Sequence, residues 1–258
     1  MTNSILENIS KYNPHQQARA TSMSEWSELF NKSERLLVLT GAGVSVDSGI
    51  PDFQTVNHSW AYEEDRYSVL SLPFFRREPD RFWEIYRELF LSKLNAQPNG
   101  FHYWLAGLEK TKEVKIITQN VDGLHQKAGS SDVIEAHGSI SRVICLVCEK
   151  RFPVGEFYVT NKTPQCLDCG AYLKPDVSLF FEGIQFGLND ARDLVMWSDI
   201  LLVAGTSLTV GPVNEIPHMA TYYVSRPSIW VNKEKPPKEY DFTYEVIGEL
   251  GDFVQFAQ

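Results

Sequence analysis

All four cysteines of the chain lie between positions 145 and 169, as two Cys-x-x-Cys hooks, CLVC at 145–148 and CLDC at 166–169, with seventeen residues between them. Each hook turns two sulfurs toward one point, and two hooks at this spacing match the ligand set of a tetrahedral zinc site. With Cys145, Cys148, Cys166 and Cys169 all bound, no coordination position remains for water, so the metal is a staple and not a catalyst. Two disulfides, a redox pair and an iron–sulfur centre are the competing readings, the last without its usual close cysteine spacing. A module of about this size, residues 139–183, can hardly build a hydrophobic core of its own, so a metal would supply its folding energy.

The rest of the 258 residues is free of cysteine, and an apolar share of 43% is enough for a large domain beside the small one. Lys and Arg number 24 against 33 Asp and Glu, a net charge of −9 with no long basic block. That is a poor footprint for direct nucleic-acid binding, while a lysine-rich polypeptide fits as a substrate. No apolar run reaches the ~18 residues of a membrane helix, and MTNSILENIS lacks the basic-then-apolar pattern of a signal segment. The chain is therefore expected to have no membrane partner and to sit in a reducing, cytoplasmic compartment.

Residues 1–30 read as an N-terminal tail or helix: 1–22, polar and broken by Pro14, are either a tail or a short helix, and helical spacing follows from Met23 to Phe30. RLLVLT at 35–40 is a buried strand running into GAGVSVDSGIPDF at 41–53, a segment rich in small residues and turn formers. Asp80 to Leu94 has a helical period through Phe82, Ile85, Leu89 and Phe90, closed by a Pro98–Gly100 turn, and 101–110 continues as helix. KIITQN at 115–120, DILLVAGTSL at 199–208 and SIWVN at 228–232 are further strands. Apolar strands separated by helix-like segments predict an α/β fold with a mostly parallel sheet covered on both faces, binding ligands at the carboxyl ends of its strands. Residues 31–138 and 184–258 form the large domain, interrupted by the cysteine module.

A strand running into Gly41-Ala42-Gly43, with Ser45 and Gly49 beyond, lets the backbone approach a pyrophosphate. A structural turn is the alternative. The usual ribose-binding acid is not cleanly present, because Glu63 and Glu64 follow a loop and not a second strand, so a plain hydride-transfer dehydrogenase loses weight. Gln119, Asn120 and Asp122, then Thr206 and Ser207, then Asn232 fall at three separate strand ends and point to one crevice. His137 precedes Gly138 where the large domain meets the module. It is a candidate general base, with His102 and His125 as competitors and a packed structural histidine as the bland alternative.

Taken together, GAGVSVDSGIPDF, TQNVDGLH at 118–125, His137-Gly138, the two hooks, GTSLTVGP at 205–212 and Val231-Asn232 resemble the sirtuin family of NAD-dependent protein deacylases, over about residues 30–250 and in the family's order. The resemblance implies a Rossmann-like NAD-binding domain, a small Zn2+ domain, and an acyl-lysine peptide entering between them. It implies loss of nicotinamide as the acyl oxygen attacks the ribose, with His137 as the base that activates a ribose hydroxyl and O-acyl-ADP-ribose as product. Gly41, Ala42, Gly43 and Ser45 would then meet the phosphates or nearby ribose, and Ile50, Pro51, Asp52 and Phe53 would close over the nicotinamide. Asn120, beside the catalytic base, and Asp122 would line the nicotinamide ribose pocket, and Gln119 would bind ribose. Gly205, Thr206 and Ser207 would hold the phosphate and adenosine side, Asn232 the adenosine ribose, and Leu250 the adenine edge.

Three positions depart from the family pattern. Gln54 stands where PDF is usually followed by Arg, and an amide cannot supply the guanidinium's charge to NAD. KPDVSLFFEG at 174–183 resembles the segment that pairs with the substrate backbone, through Val177, Leu179, Phe180 and Phe181, yet Phe181 replaces the usual Gly and is expected to narrow or reshape the groove. Tyr86 is followed by Leu89 where members that take acidic acyl groups carry Arg, which favours acetyl or longer apolar acyl groups. NAD glycohydrolysis or ADP-ribosyl transfer is the rival enzyme class, and a non-catalytic NAD-binding protein the rival outside enzymes.

Overall fold

The structure is a computed structural model and describes residues 23–51, 65–155, 163–183 and 186–257; the tail or short helix expected over 1–22 lies outside the described residues. Helix α1 (Met23–Lys32) leads into β1 (Arg35–Thr40), and the other strands of the main sheet are β2 (Glu113–Thr118), β3 (Val133–Glu135), β7 (Ile200–Ala204), β8 (Ser228–Asn232) and β9 (Tyr244–Ile247). Their order is β3-β2-β1-β7-β8-β9, six strands with every neighbouring pair parallel. Leu36 to Thr40 of β1 and all of β7 are buried, as apolar strands covered on both faces must be. The chain reverses its direction of travel between β1 and β7, and the ligand crevice of an open parallel sheet lies at such a switch point.

One face of the sheet is covered by α1 together with helices at Gly100–Leu108 and Leu250–Phe256, where Trp26 stacks on Phe253, Phe30 on Trp104, and Trp104 meets Phe253 edge-on. The helix Leu188–Trp197 and the turns at 215–223 cover the other face against Trp230, Tyr240 and Phe242. Sequence reading overshot two strands. KIITQN pairs only through Thr118, and DILLVAGTSL stops at Ala204 because Gly205 takes φ +58°.

The inserted region contains β4 (Gly138–Cys145), β5 (Arg151–Pro153) and β6 (Leu173–Val177), an antiparallel sheet in the order β5-β4-β6. Its core is not confined to 139–183. Phe74, Phe75, Phe82, Trp83, Ile85 and Tyr86, from the helices spanning 66–90, pack with Ile140, Val143, Leu173 and Leu179. The helices placed by chain order in the span 31–138 of the large domain thus share the small sheet's core. The cause is physical, since three short strands offer too little apolar surface and the amphipathic helix Pro79–Phe90 brings Phe82, Trp83 and Tyr86 to cover it. Trp83 Nε1 also donates to the carbonyl of Leu173 at 2.8 Å. Arg142 ties the two sheets, from Glu135 in β3 (2.7 Å) to Asp176 in β6 (2.9 Å).

Candidate cofactor cleft and cysteine centre

The loops leaving β1 and β7 interlock at the switch point. Gly41 N–H donates to Ala204 O at 3.2 Å and Gly43 N–H to Gly205 O at 2.8 Å. A Cβ on Gly41 would lie 2.6 Å from Thr206 Cβ, and one on Gly205 2.5 Å from Val44 N. These glycines let two loops touch, and the amides of Gly41 and Gly43, expected to face phosphates, are committed to the neighbouring loop. Ala42–Ser48 forms a 3-10 turn closed by Gly49 at φ +81°. Asn99, which sequence reading treated only as part of a turn, clamps it: Nδ2 donates to Val44 O (2.8 Å) and Ser48 Oγ (3.1 Å), while Oδ1 caps the next helix at Phe101 N (3.0 Å). The signal for it was the Asn N-cap position after Pro98.

Ser45 is fully buried, and its hydroxyl donates to Asp122 Oδ2 at 2.7 Å and accepts from Asn120 Nδ2 at 3.1 Å. Asn120 Nδ2 also reaches Gly41 O (3.0 Å), and Asp122 Oδ1 accepts from Leu124 N (2.9 Å). Ser45 therefore acts on a ligand only through these two partners. Thr206 Oγ1 accepts from Leu208 N (3.1 Å) and so gives its proton to Gln119 Oε1 (2.8 Å). This leaves the buried Gln119 Nε2 as a donor with no partner among the described residues. Asn232 spends Nδ2 on Thr206 O (2.8 Å) and Oδ1 on Lys233 N (2.8 Å), Ser207 Oγ meets Thr209 Oγ1 (2.9 Å), and Leu250 packs half-buried against the first core. Ile50 is buried and Pro51 exposed, whereas Asp52, Phe53 and Gln54 lie outside the described residues.

The three candidate histidines have different surroundings. His102 and His125 are buried with ring centroids 4.8 Å apart. Thr40 Oγ1 donates to Thr118 Oγ1 (2.9 Å), so His125 Nε2–H donates to Thr40 Oγ1 (3.0 Å). Burial pushes the pKa of His102 down to about 4 and that of His125 to about 3, and for His125 its neighbour His102 adds to the effect. Both are neutral supports of the strand ends. His137 Nδ1 lies 3.0 Å from Gln119 O, and a carbonyl only accepts, so Nδ1 carries the proton. Nε2 is then a free lone pair, buried and without a partner among the described residues. Desolvation lowers its pKa, with the Gln119 carbonyl opposing, which keeps the ring neutral at pH 7. Gly138 follows at φ +79°, where a Cβ would sit 2.0 Å from Asp176 O, so only glycine can carry the chain from His137 into β4.

Of the substrate-segment residues, Val177 and Leu179 are buried in the small sheet's core together with Tyr86, which stacks on Phe82 and Phe90, and Leu89 is partly buried there. Phe180 N and O bond to Leu70 O and Leu72 N at 3.0 Å each. Phe181, expected to narrow or reshape the groove, is 82% exposed with φ +62°.

The four cysteine sulfurs lie within 4.8 Å of one another, with Cys145 and Cys169 at 3.5 Å and Cys148 and Cys166 at 3.6 Å. None is in a disulfide. A tetrahedron of Zn–S bonds of ~2.3 Å has edges of about 3.8 Å, so four sulfurs gathered this closely fit zinc with small adjustments. The hooks are near copies: Glu149 N donates to Cys145 O and Gly170 N to Cys166 O, both at 2.9 Å.

An open parallel sheet with a polar cleft at its switch point and a four-thiol module beside it defines a dinucleotide-binding α/β protein with a structural metal centre. Residues 41–212 match the Sir2 family. The chain is 37% identical over 234 residues to an NAD-dependent protein deacetylase of Bacillus cereus, covering 90% of this chain and 96% of that one. It is 39% identical over 232 residues to NAD-dependent protein deacylase 2 of Archaeoglobus fulgidus, covering 88% and 90%. A solved complex of Sir2 with a p53 peptide and NAD+ matches with a TM-score of 0.78 at 33% identity, over 91% of this chain and 96% of that one. The chain belongs to the Sir2 family, the sirtuins.

Proposed function

We propose that this protein is an NAD-dependent protein lysine deacetylase that releases nicotinamide and O-acyl-ADP-ribose. The observation that carries the reading is His137, neutral and held by Nδ1 with Nε2 free, which is the state of a general base. The cleft suits NAD because glycines let the β1 and β7 loops meet closely at the switch point and Gln119 Nε2 offers an unspent donor there. When bound, NAD supplies the ribosyl carbon that takes the acyl oxygen as nicotinamide departs. His137 Nε2 takes the proton of a ribose hydroxyl, Gln119 binds that ribose, and Asn120 and Asp122, locked through Ser45, line the nicotinamide end together with Ile50, Pro51, Asp52 and Phe53. Thr206 and Ser207 face the phosphates, and Asn232 and Leu250 the adenosine, Asn232 by shaping the Thr206 loop. The acyl group is acetyl or apolar, because Leu89 offers no charge partner to a carboxylate. The catalytic cleft lies between a large lobe and a small one composed of residues 66–95 with 138–183. The unpaired cysteines favour a reducing, cytoplasmic setting, and no helix among the described residues is long and apolar enough to cross a membrane.

The test follows acetyl-lysine peptide, nicotinamide and acyl-ADP-ribose together. One acyl-ADP-ribose should appear per deacetylated lysine, and His137→Ala should lose turnover by about 10²–10⁴-fold with NAD binding retained. Equal turnover by the variant overturns the base, and free ADP-ribose formed without peptide moves the reading to NAD glycohydrolysis. The acid limb of kcat in the wild type should fall below pH 6.5, because the ring's pKa is lowered.

A further inference from the structure

Phe181 is a bulky residue at φ +62°, a left-handed backbone region that favours glycine, and its ring is 82% exposed. Neither property stabilises the fold, and the ring belongs to none of the three cores. The conformation is nevertheless firmly held. Leu179 N donates to the Glu182 carboxylate at 3.0 Å and Glu182 N to Leu179 O at 3.1 Å, closing a tight turn around Phe181. Glu182 pairs at 3.0 Å with Lys174, whose side chain is only 3% exposed and whose ammonium also donates to Pro175 O and Val177 O. On the other side, Phe180 is bonded to Leu70 and Leu72, and its ring meets Tyr67 edge-on at 4.8 Å.

The residue before this turn is bonded to the main chain of the candidate base. Ser178 N donates to the carbonyl of His137 at 2.9 Å, three residues before Phe181. With Leu179 N–H and both main-chain groups of Phe180 already committed, recognition at this end depends on side chains more than on added strand pairing. A strained, rigidly braced backbone that presents an exposed ring three residues after a contact with His137 fits a ligand-contacting role.

We propose that Phe181 is a specificity-determining residue whose ring packs against the side chain next to the acyl-lysine and selects an apolar, preferably aromatic, neighbour. This deepens the deacetylase reading and rests on it. The experiment uses three acetyl-lysine peptides that differ only in carrying Gly, Glu or Trp beside the modified lysine, with the wild type, Phe181→Gly and Phe181→Leu. For each, KM is measured along with the Kd of the peptide by calorimetry. The wild type should prefer Trp over Gly by about five-fold, a ratio falling to within about two-fold in Phe181→Gly and intermediate in Phe181→Leu. The Tm of Phe181→Gly should not fall, since the substitution relieves the backbone. Equal binding of the three peptides by the wild type, a Trp preference that survives Phe181→Gly, or a lowered Tm for that variant each overturns the proposal. Flank-dependent binding without turnover would instead defeat the deacetylase reading and leave this contact standing.

Discussion

Strands β6 and β7 each bury all five of their residues, but with different contents: β7 is Ile-Leu-Leu-Val-Ala and β6 is Leu-Lys-Pro-Asp-Val. Burial in β7 follows from apolar area removed from water on both faces. Burial in β6 requires partners, Glu182 for Lys174 and both Arg142 and Arg151 for Asp176. The small lobe adds four thiols and these ion pairs to its packed core, so its shape depends on charge and metal as well as packing, where that of the large lobe depends chiefly on packing. Removing metal should therefore separate the two. Chelation, or Cys166→Ser, should unfold the small lobe by about 10 kcal/mol of lost binding energy and abolish deacetylation. Hydrogen exchange would show peptides over 138–177 losing protection while β1 and β7 keep theirs, and equal loss in both lobes would break the comparison.

Acid attacks the large lobe through its own buried polar groups. His102 and His125 titrate near 6.5 when unfolded and at about 4 and about 3 when folded. The unfolded chain binds more protons below pH 6.5, so the stability present above that pH is lost as pH falls toward 4, by about 3 kcal/mol from His102 alone. Urea unfolding at stepped pH measures the slope, and NMR should find neither ring titrating between pH 8 and 5. Titration of either near 6.5 would show the pair to be open to water. The packing of the large lobe has a sharper lever in Gly41→Ala, whose Cβ would meet Thr206 Cβ at 2.6 Å and push the β1 and β7 loops apart. A loss of about 1–3 kcal/mol with weakened NAD binding is expected, read from the urea midpoint and from calorimetry. An unchanged NAD affinity would mean that the interlock does not shape the cleft.

The same contrast explains what was legible in the sequence. β1, β7 and β8 are near-continuous apolar runs, and the hooks carry their spacing in plain view, so the sheet centre and the metal centre could both be read. The edge strands β3 and β9 have three and four residues, too short for a periodic signal. The period through Phe82, Ile85 and Leu89 announces a helix but not which sheet it covers, which is why the helices at 66–90 were placed by chain order. Long-range polar contacts were equally hidden. The N-cap position after Pro98 accounts for the Oδ1 of Asn99 but not for its Nδ2, which clamps a turn more than fifty residues earlier, and the commitments of Ser45 and Asn232 likewise depend on strands that meet only in the fold. The free Nε2 of His137 follows from the Gln119 carbonyl that holds Nδ1, a contact made eighteen residues away in the chain and set by the fold.

The smallest effect separates geometry from metal within the small lobe itself. After each hook the chain enters the left-handed region, at φ +74° for Gly170 and +60° for Glu149. The two positions do the same work, each donating its N–H to the first cysteine's carbonyl, yet only one is glycine. Glu149 is exposed, and a Cβ on Gly170 would meet nothing within 4 Å, so neither site has a packing contribution to confuse the reading. Relief of left-handed strain at 149, about 1–2 kcal/mol, outweighs the roughly 0.5–1 kcal/mol of extra chain entropy that glycine brings to the unfolded state. Glu149→Gly should thus raise stability by about 0.5–1 kcal/mol, and Gly170→Ala should lower it by a similar amount, both read as Tm with metal bound. If Glu149→Gly melts lower than wild type while Gly170→Ala melts unchanged, the hooks are not equivalent, and metal ligation alone sets the backbone of the small lobe.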